Sequence, residues 1–162
     1  MTIPAPIDEY TIRRTLTVPE AVEKAFAVFT EEMDSWWPAE YTWSQDVLQH
    51  IGIEPGVDGR CFERGPHGFE CDWGRVLVWE PPHHVLFTWQ ISPGREPVPD
   101  ANKASEVEVR FTAQGAAITR VDFEHRHLDR HREGAAEYKA MLDSPDGWPY
   151  ILNRYVRVLT AE

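Results

Sequence analysis

Three histidines in the stretch EHRHLDRH, at positions 125, 127 and 131, form the densest cluster of side chains able to bind metal or carry protons. On a strand, His125 and His127 share a face, a spacing with which two imidazoles can chelate a zinc-like ion. His131 lies four residues further on, yet no acidic residue joins them at a fitting spacing, and no metal is expected. His125 has another use by itself. It continues the apolar face of Val121 and Phe123, where it can orient a ligand, act as general acid or base, or sit as a satisfied core imidazole. It is the candidate catalytic residue.

Beyond that cluster, chemistry is sparse. The chain contains no GxSxG, no phosphate-binding loop and no CxxC. Glu70 and Asp72 flank Cys71, but alternation turns them away from Trp73. Isolated polar groups remain, namely Tyr10, Arg75, Tyr138 and Tyr155, each of a kind that any chain of this size contains. More distinctive is DSWWPAEYTW, which sets Trp36, Trp37 and Trp43 within ten residues. Indoles bring bulk and an N–H that wants a partner. Core packing is their ordinary fate, and the rim of a pocket is the alternative.

The elements that position these groups follow from periodicity. Tyr10–Val18 alternates and carries β-branched residues, so it reads as a strand. Val22, Ala25, Phe26 and Phe29 recur at helical spacing, giving a helix over 19–30 that starts at Pro19. A short helix or turn around Trp36 and Trp37 is stopped by Pro38. Then the period becomes two. Residues 47–54, 60–64, 70–80, 83–91, 105–114 and 117–128 read as strands, separated by EPGVDG, GPHG, PP and QG turns and by the longer SPGREPVPDANKA. That longer loop, 92–104, is either a lid or partner surface or a solvated connector. Helices close the chain at 133–142 and 148–159, the second with Trp148, Ile151, Leu152, Tyr155 and Leu159 on one stripe.

Six or seven antiparallel strands with one apolar face need a cover, and the last helix is the only long element available. A twisted sheet around a straight helix leaves a gap, so the architecture predicts an apolar cavity between them. The strand 70–80 is apolar on both sides from Val76 to Trp79, and its inward face is not decided by pattern.

Composition sets the limits. The 162 residues suggest one domain, with a core over about 10–159. The net charge of −11 repels nucleic acid and anionic membrane surfaces. Two cysteines, Cys61 and Cys71, make no disulfide framework, and MTIPAPIDEY has no apolar leader, so reduced thiols in a cytoplasm are expected. No run approaches the roughly 20 apolar residues of a membrane span.

The segments FTEEMDSWWP, IEPGVDGR, ECDWGRVLVWEPPHHVLFTWQI, ITRVDFEHR and DGWPYILNRY, in this order, resemble the activator of heat-shock-protein ATPase homologue family. That family belongs to the START-like (SRPBCC) helix-grip superfamily, which includes polyketide cyclases and the birch-pollen allergen. The resemblance implies an α+β helix-grip fold: a curved antiparallel sheet wrapped around a long C-terminal helix, with one or two short helices after the first strand. It also implies a hydrophobic pocket between sheet and helix, and it favours Val76 and Val78 pointing inward with Trp79 outside. It carries no shared catalytic set and no cofactor. The expected function is binding of a small hydrophobic or amphipathic molecule, with Trp37, Val78, Phe87, Trp89, Phe123, His125, Trp148 and Tyr155 around it. The alternatives are a cyclase- or hydrolase-like enzyme in the same pocket, and a chaperone- or stress-related module with a protein partner.

Overall fold

The computed structural model describes residues 10–160, and Met1–Glu9, read above for a leader, lies outside them. Strand β1 (Ile12–Val18) leads into helix α1 (Val22–Glu31), and three short 3-10 turns follow at Met33–Ser35, Ala39–Tyr41 and Gln45–Val47. Then come β2 (His50–Ile53), β3 (Arg60–Arg64), β4 (Glu70–Glu80), β5 (His84–Trp89), β6 (Ser105–Gly115) and β7 (Ile118–Arg126). Helices α2 (Ala135–Leu142) and α3 (Trp148–Thr160) complete the chain. Helix α1 starts three residues beyond Pro19, with Ala21 at its N-cap, because the backbone still bends at Pro19 and Glu20.

All seven strands form one antiparallel sheet in the order β1-β7-β6-β5-β4-β3-β2. Strands β2 to β7 are a meander. The chain therefore leaves β1 at one edge and enters β2 at the other. Helix α1 and the three turns have to make that crossing, and they do so over the concave face. This is the α+β helix-grip architecture expected from the sequence.

The core follows from the strand alternation. Val85, Phe87, Val107, Val109, Phe111, Val121 and Phe123 are buried on the concave face. Against them α3 sets Trp148, Ile151, Leu152, Tyr155 and Leu159, all buried. Burying each large side chain of such a stripe contributes about 1.5–3 kcal/mol, which holds a helix of this length in place. Gly147 permits the tight α2–α3 junction, since a Cβ there would stand 2.2 Å from the Leu142 carbonyl oxygen.

Strand β4 departs from simple alternation. One bulge lies opposite Cys61 and Phe62, where Trp73 is the extra residue, and a second lies between Val76 and Val78, where Leu77 is extra. A bulge adds a residue and flips the faces that follow it. Trp73, Val76 and Trp79 consequently all turn to the concave side, with Trp79 edge-on to Phe26 at 5.3 Å. Leu77 is 39% exposed, and Val78 pairs with the outward Leu86. The expectation of Val78 inward and Trp79 outside is thus reversed at those two residues. Gly74 lies between the bulges, where a Cβ would stand 2.2 Å from the Thr88 carbonyl oxygen. The Arg75 N–H is satisfied there by Thr88 Oγ1 at 2.9 Å rather than by a backbone carbonyl.

Candidate ligand cavity

A cavity of about 390 Å³ opens at the β2–β5 end of the concave face. Three indoles make its floor. Trp37, from the crossing segment, lies nearly parallel to Trp73 at 6.0 Å between centroids; Trp89 meets Trp37 at 6.1 Å and Trp73 at 5.9 Å. Ile51, Leu142 and Ile151 add aliphatic wall. The mouth is built by Tyr41, Trp43, Pro93, Arg95, Met141 and Asp146.

Hydrogen bonds hold that mouth together. The Trp43 indole N–H donates to the Arg95 carbonyl oxygen at 2.7 Å, and the Arg95 guanidinium donates to the Tyr41 carbonyl oxygen at 3.1 Å. The Tyr41 hydroxyl donates to the Asp146 carbonyl oxygen at 2.8 Å. Part of the loop 92–104 therefore borders the opening, through Pro93 and Arg95. The Asp143 N–H on the Lys139 carbonyl oxygen and the turn from Ser144 to Gly147 close the chain between α2 and α3.

Beside Thr42, whose hydroxyl donates to the Ala39 carbonyl oxygen at 2.7 Å, Tyr138 and Glu63 reach the wall from buried positions. The Tyr138 hydroxyl donates to the Ile91 carbonyl oxygen at 2.9 Å and accepts from Trp89 Nε1 at 2.7 Å; burial pushes its pKa up to about 12. Glu63 is 1% exposed. Its Oε1 accepts the Trp43 N–H at 3.0 Å, and its Oε2 accepts the Ser44 N–H at 2.9 Å and the Ser44 hydroxyl at 2.8 Å. Trp73, also on the floor, is different again. Among the described residues its Nε1 is the buried side-chain donor that has no hydrogen-bond partner.

Of the residues expected around a ligand, Trp37 and Trp89 line this cavity. Phe87, Phe123, His125, Trp148 and Tyr155 are buried in the layer behind the floor, and Val78 faces the other way. Trp148 explains the arrangement. It packs on Phe123 at 4.6 Å and on Trp89 at 5.2 Å, filling the space between the floor and β7. Tyr155 donates its hydroxyl hydrogen to the Ala25 carbonyl oxygen at 2.7 Å and has its pKa raised by burial. Trp36 is core, its N–H on the Val28 carbonyl oxygen at 2.9 Å. The hollow thus sits at one end of the sheet instead of along the whole of α3.

His125 has both ring nitrogens occupied. Trp148 Nε1 can only donate, so His125 Nδ1 accepts from it at 3.0 Å and the proton lies on Nε2. That proton goes to Ser105 Oγ at 2.7 Å, which leaves the Ser105 hydroxyl hydrogen for His131 Nε2 at 2.7 Å. Burial drives the His125 pKa well down, with His131 adding to it, and burial lowers His131 to about 4. The imidazoles are a neutral, directional chain within the core. Among the described residues no His, Cys, Asp or Glu cluster suited to a metal is present.

Comparison with known proteins fits this geometry. The model of the family "Activator of Hsp90 ATPase homolog 1-like protein" matches residues 19–160. The chain belongs to that family. Among solved structures it is similar to Txn09, an anthrahydroquino-gamma-pyrone synthase, at 38% identity, over 91% of this chain and 96% of that one, with a TM-score of 0.66. It is also similar to CalC, a self-sacrificing resistance protein from Micromonospora echinospora, at 27% identity, over 92% and 93% of the two chains, with a TM-score of 0.62. Protein NE0264 from Nitrosomonas europaea shares the fold at 17% identity, over 96% and 98% of the two chains, with a TM-score of 0.67. No curated protein sequence matches. Family and fold fit a helix-grip protein of the ligand-binding or cyclase type. Among the described residues no helix is long and apolar enough to cross a membrane.

Trp43, for which the rim of a pocket is the alternative to core packing, and Pro93 and Arg95 of the loop 92–104 lie at the mouth, whereas Glu63 in the wall and Tyr41, Met141 and Asp146 at the mouth were not expected there. Glu63 shares a face with Cys61 in RCFER, so a carboxylate on an inward face was detectable. The signal was masked by Phe62, an aromatic on the outer face that is covered by the Arg60 guanidinium at 4.5 Å.

Proposed function

We propose that this protein binds a flat, fused-ring aromatic small molecule of polyketide type in the cavity floored by Trp37, Trp73 and Trp89. The observation that carries the reading is that cavity itself, about 390 Å³ with three indoles meeting at its base. Sites for drug-sized ligands begin at about 300 Å³ and are walled by apolar and aromatic groups. Indole faces favour offset or edge-on contact with another aromatic ring. The similarity to a synthase of an anthrahydroquino-gamma-pyrone supports a fused-ring occupant over a flexible lipid chain. The test is a titration of intrinsic tryptophan fluorescence, with calorimetry, against anthraquinones, flavonoids and palmitate. Saturable quenching by the ring compounds is expected. Absence of both quenching and heat across the ring compounds overturns the proposal.

A second reading is ring-closing catalysis on the bound molecule, and it too is supported by the synthase relative. In that reading the acid or base belongs to the cavity wall, at Glu63 or Tyr138, because His125 lies behind the floor with both nitrogens engaged. Product formation from an uncyclised aromatic polyketide, followed by chromatography, tests it; His125→Gln should leave turnover in place where Glu63→Gln removes it.

A further inference from the structure

Glu63 is the buried carboxylate of the cavity wall and has no cation paired with it among the described residues; Arg95 and Asp146 line the mouth. Glu63 is held by two backbone N–H groups and one serine hydroxyl, all neutral, and forms no ion pair among the described residues. A carboxylate offers about four acceptor positions, and these donors fill three, two on Oε2 and one on Oε1. Taking a carboxylate out of water without a counter-charge is costly, so a core that only needed filling would favour an apolar side chain.

Glu63 has a neighbour with the opposite need. Across the β3–β4 pairing it stands opposite Cys71, and Trp73 is the next residue of β4 on the same face. Both side chains line the cavity. Trp73 brings the buried N–H that lacks an acceptor, and Glu63, with three donors for about four positions, can accept one more hydrogen. Tyr138 is satisfied in both directions by Trp89 and Ile91, and the Thr42 hydroxyl by the Ala39 carbonyl oxygen and the Gln45 N–H. An occupant that completes the wall therefore carries a hydroxyl hydrogen for Glu63 with an oxygen acceptor close by.

We propose that Glu63 selects hydroxylated aromatic ligands by accepting the hydrogen of a phenolic O–H inside the cavity. This rests on the reading that the cavity binds fused aromatic rings. A second carboxylate brought against Glu63 meets like charge at low dielectric, and the Arg95 guanidinium stands at the mouth on the Tyr41 carbonyl oxygen, so aromatic and fatty acids of matching size are disfavoured at Glu63. An ether of the same size also loses, because it leaves the fourth acceptor position of the carboxylate empty and shut off from water.

The experiment is calorimetric titration of the wild-type chain at pH 7 with 2-naphthol, 2-methoxynaphthalene, 2-naphthoate and protonated 2-naphthylmethylamine. Naphthol should bind about ten-fold or more tighter than its methyl ether, the range of a hydrogen bond to a charged group, and naphthoate should not bind measurably. In Glu63→Gln the preference for naphthol should shrink and naphthoate should become a ligand. Equal binding of naphthol and the ether overturns the inference, assigning Glu63 to holding the 43–44 backbone while the cavity reading stands. Tightest binding by the ammonium compound also overturns it, making the carboxylate a cation receptor. If none of the four binds, the aromatic-cavity reading falls and takes this one with it. Should Glu63→Gln fail to fold, the wild-type series decides alone.

Discussion

Replacing Tyr138 by Phe removes one oxygen and leaves two groups behind it. The hydroxyl is the acceptor for Trp89 Nε1 at 2.7 Å and the donor to the Ile91 carbonyl oxygen at 2.9 Å. Trp89 is 5% exposed, so its orphaned N–H finds no water, and stranding such a donor costs about 1–3 kcal/mol. Ile91 is half-buried and its carbonyl can turn to solvent, so the second loss is close to that of one ordinary hydrogen bond, about 1 kcal/mol. The sum, about 2–4 kcal/mol, corresponds to a fall in Tm of roughly 4–16 °C at about 2–4 °C per kcal/mol for a chain of this size. Thermal and urea denaturation measure it. The pairing itself is isolated by a double-mutant cycle with Trp89→Phe, in which the cost of Tyr138→Phe should drop by about 1 kcal/mol or more. A Tyr138→Phe change within 0.5 kcal/mol of wild type, or strict additivity in the cycle, refutes the assignment of this hydroxyl as the link between α2 and the cavity floor.

Three further perturbations read other parts of the structure. Burial keeps His125 and His131 neutral, whereas both titrate near the ordinary 6.5 when unfolded; the unfolded chain therefore binds more protons, and stability falls as pH drops below 6.5, ending for His131 at about 4. Urea denaturation of His125→Gln should show a shallower loss over that window by up to about 1.4 kcal/mol per pH unit, the value for one proton, and an unchanged slope contradicts the neutral buried imidazole. Gly74→Ala drives a Cβ against the Thr88 carbonyl oxygen, so the variant should unfold well below wild type or fail to fold, and a Tm unchanged within 2 °C shows that β4 relaxes freely there. Trp43→Phe removes the N–H that latches the mouth to Arg95, so stopped-flow release of a bound anthraquinone should accelerate several-fold with little loss of stability, whereas equal release rates mean that ligands leave by another route.

How much was legible in the sequence depended on what each feature answers to. The strands β5, β6 and β7 and the stripe of α3 read directly, because alternation and helical spacing report which side of an element meets apolar matter. Strand β4 did not, since a bulge is a matter of register with both neighbours, and GRVLVW carries apolar residues on either face. Alternation also gives direction without depth. It put His125 correctly on the concave face, but only the position of Trp148 decides that His125 lies behind the floor rather than in the cavity. Glu63 was hidden by its partner residue Phe62, whose outward ring made RCFER look ordinary. Of the mouth only Trp43 and the loop 92–104 were legible as candidates; their union with Tyr41 and Asp146 was not, because these residues are far apart in the chain and meet through backbone carbonyl oxygens.

The crossing from β1 to β2 explains why a solid core and a hollow coexist in one small sheet. Helix α3 packs against β1 and α1, so its large residues occupy the half of the concave face formed by β6, β7 and β1. The other half, β2 to β5, is covered mainly by the thin return of the crossing segment and the short helix α2, with Trp148 and Ile151 of α3 reaching its border. Turns of three residues cannot fill the depth that a helix fills, and the indoles that reach in form a floor, Trp37 nearly parallel to Trp73 and Trp89 inclined to both, with space above them. Rigidity and recognition are thereby separated along the sheet. Substitutions at Met141, which is 51% exposed at the mouth, touch little of the packed half. Ligand selectivity in such an arrangement can change through α2 and the turns while the β6–β7–α3 core keeps the fold.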